Sequence, residues 1–417
     1  MTIRMDEGAA ELLDTLHRAG YAAYVVGGCV RDSLLGLTPH DWDLCTSALP
    51  QQGMELFGEE KCIPTGLQHG TVTVKQGGGL YEITTFRTEG AYTDGRHPDE
   101  VHFVPDVRED LARRDFTINA MAYNEKEGLV DPFGGQADLQ SGILRAVGVP
   151  HQRFTEDALR ILRLYRFAAR FGFSIDPPTA QAAQELCAHL DCVSVERIEE
   201  ELAKLLSAPA PAAYLDEKIL GVVLPELSPE ALAAAKPVVD ACPAGEQALP
   251  VRLAALLLSL GEDSTRRTLR RLRCSNACIE ETAVLVREVV SGVPVAFSSE
   301  KLPARPPVSL NIYTRKLLGQ YGLKTVQRLA ALGTALQPEH AADFAALSEL
   351  AEQLDADGVC CRVSQLAVNG RDLMAAGVPA GPGIRKVLEA LLDGVIREEY
   401  PNERQALLVA VQQFAAS

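Results

Sequence analysis

The sequence lacks the features that mark membrane and secreted proteins. It contains no run of about 18 to 20 uncharged apolar residues, which a helix needs to cross a bilayer. Its first residues, MTIRMDEGAAELLDTL, carry acidic side chains where a secretory signal has an apolar stretch. We therefore expect a cytoplasmic protein without a membrane partner.

The ten cysteines show no metal-binding or disulfide pattern. The only close pairs are Cys274/Cys278 and Cys360/Cys361, and neither has the two-pair spacing of a zinc site. Free cysteine behaves as a small apolar side chain, so we expect reduced thiols in the core. The sequence also contains no internal repeat, and its apolar fraction of 47% is that of an ordinary globular protein.

The sequence also has fewer basic than acidic residues. The formal net charge of −16 argues against a nucleic-acid partner, because affinity for phosphate backbones depends on Lys and Arg. Locally, however, residues 153–170 hold five arginines against two acids, and RRTLRRLR at 266–273 holds five more in a predicted helix. Phosphate contacts need only local positive surface, so RNA stays a possible partner.

The spacing of apolar residues changes near residue 150. Before about residue 145, four segments rich in β-branched or aromatic residues predict strands, around Tyr24 and from Asp41, Gly70 and Leu80. The glycines at 77–79 predict a hairpin turn between the last two. Later segments have helical periodicity, and no further strand is predicted. The pattern predicts an α+β fold, in which a mixed-sheet head is followed by helical segments.

Segments rich in proline indicate joints at 208–212 and 301–307. Together with the change in periodicity, they predict four domains: a head at 1–145, a helical neck at 146–207, a helical body at 208–305 and a helical tail at 306–417.

The densest motif is YVVGGCVRD followed by HDWDL. Gly27 and Gly28 precede a predicted helix N-terminus, which favours anions, and Arg31 can add a charge-assisted contact. Asp41 and Asp43 are predicted to share one face of a strand. Two adjacent carboxylates repel each other unless a cation lies between them, and these hard oxygen ligands suit Mg²⁺. A strand, a tight turn and a solvated acidic loop would also explain these residues.

A second motif, RRDFTIN at 113–119, offers Arg114 for a phosphate or sugar contact, with Asp115 and Asn119 beside it. The alternative is a helix N-terminus with Asp115 as its capping residue. Glu82, in a predicted strand, is either a third carboxylate of the site or a structural residue.

A third motif, EDALRILRLYR, predicts a helix with Asp157, Arg160, Arg163 and Arg166 along one face. An aspartate acceptor beside an arginine donor can bind the pairing edge of a base by hydrogen bonds. A salt-bridged surface helix is the alternative.

Taken in order, GG-x-VRD, D-x-D, RRDFTIN and E-D-x-x-R resemble the signature of bacterial class II tRNA nucleotidyltransferases, also called CCA-adding enzymes, within the polymerase-beta-like superfamily. The resemblance covers residues 20–206. It implies a polymerase-beta-like head and the addition of CCA to the 3′ end of tRNA from CTP and ATP, without a nucleic-acid template. By this resemblance Asp41 and Asp43 are catalytic and hold two Mg²⁺ ions for in-line nucleotidyl transfer with release of pyrophosphate.

The resemblance also implies the residues that bind the incoming nucleotide, some at its triphosphate or ribose and others as an amino-acid template that reads C and then A. They are Gly27, Gly28, Arg31, Arg114, Asp115, Asn119, Glu156, Asp157, Arg160, Arg163 and Arg166.

The segment PTGLQHGTVTV at 64–74 resembles the CCA-adding pattern rather than the basic GRRF-like stretch of bacterial poly(A) polymerases. Residues 86–103 have the full length expected of enzymes that switch from C to A, although His97 stands where relatives commonly have a second arginine. An enzyme that adds only the final A, a poly(A) polymerase and a non-catalytic RNA-binding homologue stay as alternatives. The sequence leaves the oligomeric state open.

Overall fold

The structure is a computed structural model that describes residues 3–90, 100–290 and 309–415. The chain divides into two compact units, residues 1–229 and 230–417. His97 and the predicted joint at 301–307 lie outside the described residues, and the division into four domains stays a prediction.

Besides a short pair of strands later in the chain, the described residues of the first unit contain a seven-stranded mixed sheet and a two-stranded sheet. Their strands are β1 Ala23–Val26, β2 Leu44–Thr46, β3 Cys62–Gly66, β4 Thr71–Gln76, β5 Gly79–Thr85, β6 Arg87–Glu89, β7 Val101–Phe103, β8 Ala122–Asn124 and β9 Gly128–Val130. The large sheet has the order β3-β4-β5-β2-β1-β8-β9, and β6 pairs with β7. Within the large sheet β2 and β5 are parallel and the other neighbours are antiparallel. The predicted mixed-sheet head is confirmed.

Ten α-helices surround and follow this sheet among the residues of the first unit that the structure describes. They are α1 Glu7–Arg18, α2 Gly28–Leu34, α3 Pro50–Phe57, α4 Val107–Ala112, α5 Gly135–Ser141, α6 Pro150–Glu156, α7 Leu159–Phe171, α8 Pro177–Leu186, α9 Val195–Leu206 and α10 Glu217–Val223. One core of the head packs alternate strand residues, such as Tyr24, Val26 and Cys45, against Val107 and Leu111 of α4. This packing fixes α4, and with it the RRDFTIN segment that follows, against β1 and β2.

The predicted hairpin is confirmed between β4 and β5. Gly77 and Gly78 have φ angles of +56° and +85°. A two-residue hairpin loop of the favoured type needs positive φ at both positions, which glycine adopts without strain. The turn fixes the register in which Thr73 of β4 faces Glu82 of β5.

Two predictions about strands are wrong. The strand predicted from Asp41 begins only at Leu44, because β1 ends at Val26, whose N–H donates to the carbonyl of Asp43 at 2.9 Å before the chain turns at Gly27. A short strand also occurs after residue 150, since β10 Ile143–Leu144 pairs in parallel with β11 Ser174–Ile175. A two-residue strand is too short to show a period of two in the sequence.

The second unit is helical throughout its described residues, as predicted. Its helices are α11 Pro229–Ala241, α12 Leu249–Leu257, α13 Gly261–Arg271, α14 Asn276–Val290, α15 Leu310–Tyr321, α16 Leu323–Leu336, α17 Ala341–Ala356, α18 Gly370–Ala375, α19 Gly383–Ile396 and α20 Arg404–Ala415. Across the described ranges of the chain, no helix has the length and apolar character needed to cross a membrane. All ten cysteines are free thiols and eight are buried, which agrees with the expected core role, while Cys192 is exposed.

Candidate active site

Three carboxylates lie near the start of β2. Asp41 and Asp43 lie directly before β2 and are exposed, and Glu82 is exposed on β5. Leu44 of β2 pairs with Ile83 of β5, so Asp43 and Glu82 each directly precede a residue of this pair. Loss of hydration raises the pKa of Asp43, and the negative charges of Glu82 and Asp41 raise it further.

These carboxylates are suited to a divalent cation. No residue in the described ranges donates a hydrogen bond to the side chain of Asp41, Asp43 or Glu82, although the three repel one another. Within those ranges no three His, Cys, Asp or Glu side chains converge tightly enough to hold an ion by themselves. Mg²⁺ usually binds one or two carboxylates together with substrate phosphates, so the donor set fits an ion that the nucleotide helps to hold.

The two glycines of the first motif differ in their structural roles. Gly27 has φ +76° and ψ −120°, and a Cβ there would lie 2.8 Å from the Nη1 atom of Arg114. Gly28 is the first residue of α2, and the nearest atom to a Cβ there would be Nη2 of Arg31 at 3.6 Å. Gly27 therefore gives Arg114 room beside the backbone, and the positive charge of Arg114 partly offsets the rise in the pKa of Asp43.

Arg31 is almost fully buried, with 4% of its surface exposed. Its Nε donates to Oδ1 of Asp32 at 2.7 Å and its Nη1 donates to Oδ1 of Asn119 at 2.6 Å. The guanidinium also lies 5.3 Å and 5.0 Å from the ring centroids of Phe167 and Phe171. Arg31 thus links α2 to α7, and contact between its side chain and a nucleotide stays a prediction.

Asp115 continues this series of contacts. It accepts a hydrogen bond from Nδ2 of Asn119 at 3.0 Å, and its Oδ2 accepts two from Nε and Nη2 of Arg163 at 2.9 and 2.7 Å. Burial alone would raise the pKa of Asp115, but the charge and hydrogen bonds of Arg163 hold it well below the usual range. The carboxylate therefore fixes Arg163, whose positive charge lies beside RRDFTIN.

The predicted helix over the third motif is interrupted. Helix α6 ends at Glu156, and Asp157 has φ −144° and ψ 104°, which is extended backbone. The helical prediction fails here because the Asp157 carboxylate accepts from the N–H of Leu159 at 3.1 Å, a local contact that starts α7 afresh. Glu156 instead binds Nη1 of Arg160 at 2.8 Å, which orients Arg160.

Arg166 lies deeper than Arg163. Its guanidinium carbon is 3.8 Å from the ring centroid of Phe167, and its Nε is 2.7 Å from Oε2 of Glu201 on α9. Burial lowers the pKa of Arg166 to about 10. Nη1 of Arg163 lies 3.6 Å from the other oxygen of Glu201, so one buried carboxylate compensates two arginines.

A cavity of about 260 Å³ opens among these residues. Its lining consists of five arginines, two aspartates and one leucine, namely Arg113, Arg114, Arg160, Arg163, Arg197, Asp115, Asp157 and Leu159. The excess of positive charge suits an anionic ligand, and the two aspartates add hydrogen-bond acceptors.

Five of the predicted nucleotide-binding residues line the cavity, Asn119 and Glu156 form hydrogen bonds with lining residues, and Gly28 lies at the start of α2. Sequence reasoning missed Arg113 and Arg197 as members of the site. Arg113 was quoted only as part of its motif, and Arg197 stands in the acidic segment VERIEEELAKLL, where a single arginine is a weak signal. Asp41 and Asp43 are not among the lining residues, but Arg114, which lines the cavity, acts electrostatically on Asp43.

Comparison with known protein families accounts for most of the chain. Residues 23–145 match the family described as Poly A polymerase head domain, residues 172–230 the probable RNA- and SrmB-binding site of polymerase A, and residues 251–411 the putative tRNA nucleotidyltransferase domain 2. The three matches follow one another in the order of the chain.

Two relatives that are similar over the whole length are both CCA-adding enzymes. The CCA-adding enzyme of Lactiplantibacillus plantarum is 36% identical over 419 residues, covering 99% of this chain and 97% of the relative. That of Geobacillus stearothermophilus is 36% identical over 404 residues, covering 96% and 95%. The crystal structure of the Bacillus stearothermophilus CCA-adding enzyme in complex with CTP matches with a TM-score of 0.82 and 32% identity, covering 99% and 98%. The chain belongs to the family of CCA-adding enzymes.

Proposed function

We propose that the carboxylates before β2 and the arginine-lined cavity form one active site, which adds C, C and A to the 3′ end of tRNA from CTP and ATP. Arg114 carries this proposal. It lines the cavity, lies against Gly27 and acts electrostatically on Asp43. A nucleotide whose base occupies the cavity would extend its triphosphate past Arg114 towards Asp41 and Asp43.

On this proposal the catalytic carboxylates are Asp41 and Asp43. Asp41 and Asp43 would hold Mg²⁺, which would supply the positive charge needed for activation of the terminal hydroxyl of the RNA and for the departing pyrophosphate. Arg114 contributes a fixed positive charge beside the triphosphate, and Gly27 lets that charge approach the backbone. Glu82, whose charge acts on Asp43, would be the third carboxylate of the site.

The cavity can select bases through Asp157 and Arg160. A carboxylate only accepts hydrogen bonds, and both cytosine and adenine present an amino group on the pairing edge, where uracil and guanine present a carbonyl oxygen. Asp157 would therefore accept a hydrogen bond from C or A and repel U or G. Glu156 and the carbonyl of Arg113 hold Arg160 so that it can donate to the neighbouring ring nitrogen.

The rest of the chain would hold the tRNA. The related Thermotoga maritima CCA-adding enzyme, 22% identical with a TM-score of 0.67, has been solved in complex with tRNA. In this protein Arg267, Arg270, Arg271 and Arg273 are exposed at or just beyond the end of α13 and form a local basic surface. We assign catalysis to the head, 1–145, base reading to the neck, 146–207, and tRNA binding to the body, 208–305, and the tail, 306–417.

The direct test uses three transcripts of one tRNA, ending before CCA, after CC and after CCA, with labelled CTP and ATP and Mg²⁺. We expect C, C and A to be added in order, with no further addition to the complete transcript. Addition of A only to the CC-ended transcript would make the protein an A-adding enzyme. Long A tails on all three would make it a poly(A) polymerase.

Asp41→Ala tests the catalytic assignment. The side chain is exposed and receives no hydrogen bond from any described residue, so the variant should fold as the parent protein does. We expect it to lose incorporation of both nucleotides. Incorporation at the rate of the parent protein would remove the proposed mechanism, and comparable melting temperatures would show that a loss is catalytic.

A further inference from the structure

We propose that Arg197 of α9 determines which base is accepted, by holding the carboxylate of Asp157 in one orientation. The inference rests on the proposed function and deepens it, because it concerns how the cavity selects its nucleotide. Arg197 is a positioning residue in this proposal, since it acts through Asp157.

The two side chains form a bidentate contact, called the fork below, in which two guanidinium nitrogens bind the two carboxylate oxygens. Nη1 of Arg197 donates to Oδ1 of Asp157 at 3.3 Å, and Nη2 donates to Oδ2 at 2.7 Å. The side chains are 22% and 15% exposed, so water reaches them only partly. A planar guanidinium that binds both oxygens fixes the plane of the carboxylate, which a point charge does not do.

Counting acceptors shows what remains for a ligand. A carboxylate has about four acceptor positions, two on each oxygen. The fork takes one on each oxygen, and the N–H of Leu159 takes a second on Oδ1. About one acceptor position is therefore left, on Oδ2, and Asp157 lines the cavity that the base would enter. Arg197 thereby reduces a carboxylate with several acceptors to a single directed one.

A directed acceptor is what base selection needs. The terminal torsion of an aspartate is broad, so without Arg197 the carboxylate would rotate and share its acceptors with other donors in the cavity. The amino group of C or A would then lose its fixed partner, and the carbonyl of U or G would lose the fixed repulsion.

One turn later, helix α9 carries a second residue that pairs with a charged side chain of the third motif. Glu201 follows Arg197 by four positions, the spacing that places two side chains on the same side of a helix. Glu201 contacts Arg166 and lies near Arg163, whereas Arg197 contacts Asp157. Helix α9 thus presents one positive and one negative group, each opposite the complementary charge of the third motif.

The experiment compares full-length Arg197→Met with Lys204→Met, which removes one positive charge from an exposed position of the same helix. For each protein kcat/KM is measured for CTP and UTP on the transcript ending before CCA, and for ATP and GTP on the CC-ended transcript. We expect the CTP-to-UTP and ATP-to-GTP ratios of Arg197→Met to fall roughly 10- to 100-fold, as for loss of one base-reading contact. Lys204→Met should keep both ratios.

Arg197→Lys provides a second test that keeps the charge. An ammonium group cannot form the fork, so its ratios should lie between those of Arg197→Met and the parent protein. If Arg197→Met melts well below the parent, Arg197→Lys carries the test, and parental ratios in that variant overturn the inference.

Asp157→Ala separates the possible failures. Reduced ratios in Asp157→Ala with parental ratios in Arg197→Met overturn the role of Arg197. Parental ratios in Asp157→Ala also overturn the role of Arg197, because Asp157 would then take no part in base recognition. If the unaltered protein incorporates neither C nor A into tRNA, the proposed function itself is wrong.

Discussion

Replacement of Gly27 by alanine should damage both the stability of the first unit and its activity. The residue has φ +76° and ψ −120°, a conformation that a side chain makes unfavourable by about 1–3 kcal/mol. For a unit of this size each kcal/mol lowers the melting temperature by about 2–4 °C. The new Cβ would lie 2.8 Å from Nη1 of Arg114, whereas ordinary contacts begin near 3.4 Å. Arg114 is flexible at its tip and would move aside, away from the triphosphate.

The assay pairs thermal unfolding with the kinetics of CTP incorporation. Displacement of a binding group by a fraction of an ångström should lower kcat/KM on the order of tenfold. Gly28→Ala is the matched control for stability, since its Cβ would meet no atom closer than 3.6 Å and its backbone is helical. A Gly27→Ala variant that melts with the parent protein, or a Gly28→Ala variant that is the less stable of the two, would contradict this prediction.

Two further predictions concern charge. Asp115→Asn removes the charge of a buried carboxylate that accepts two hydrogen bonds from Arg163, while Glu201 stays near Arg163, and should cost about 1.5–3 kcal/mol in the free energy of unfolding. Because the folded protein lowers the pKa of Asp115, the stabilisation is complete above about pH 4 and disappears as the pH falls further, so denaturant titrations should show a weaker acid dependence in the variant than in the parent. Reversal of Arg270 and Arg271 to glutamate should weaken tRNA binding and flatten its salt dependence, while CTP binding is unchanged. Filter binding at two salt concentrations checks this, with exposed Arg18→Glu as the control, and unchanged tRNA affinity would contradict it.

The sequence predicted those parts of the fold that local chemistry decides. β-branched and aromatic residues and a glycine turn predicted β4 and β5, and helical periodicity predicted the helices of the second unit. It misplaced the start of β2, because the strand can pair only as far as its neighbour extends, and β1 stops at the positive φ of Gly27. That limit belongs to a different part of the chain and leaves no trace around Asp41.

The candidate site shows the same distinction. Arg114 and Asp157 stand in recognisable motifs, so the sequence could nominate them. Arg197 lies 40 positions beyond Asp157, and only the packing of α9 against α7 brings the two together. Nor could the sequence show that Arg31 forms hydrogen bonds with Asp32 and Asn119, because an arginine in a motif gives the same signal whether it is exposed or buried.

The contacts that run from Arg31 through Asn119 and Asp115 to Arg163 also bear on which parts of the chain can fold alone. The matched head family ends at residue 145, but a fragment cut there would lose Arg163 and Phe167. Asp115 would then be a buried carboxylate deprived of its cation, and the guanidinium of Arg31 would lose the aromatic ring beside it. The smallest autonomous piece that keeps these charges compensated must extend through α9 to Glu201, so the catalytic head is a folding unit only together with its neck.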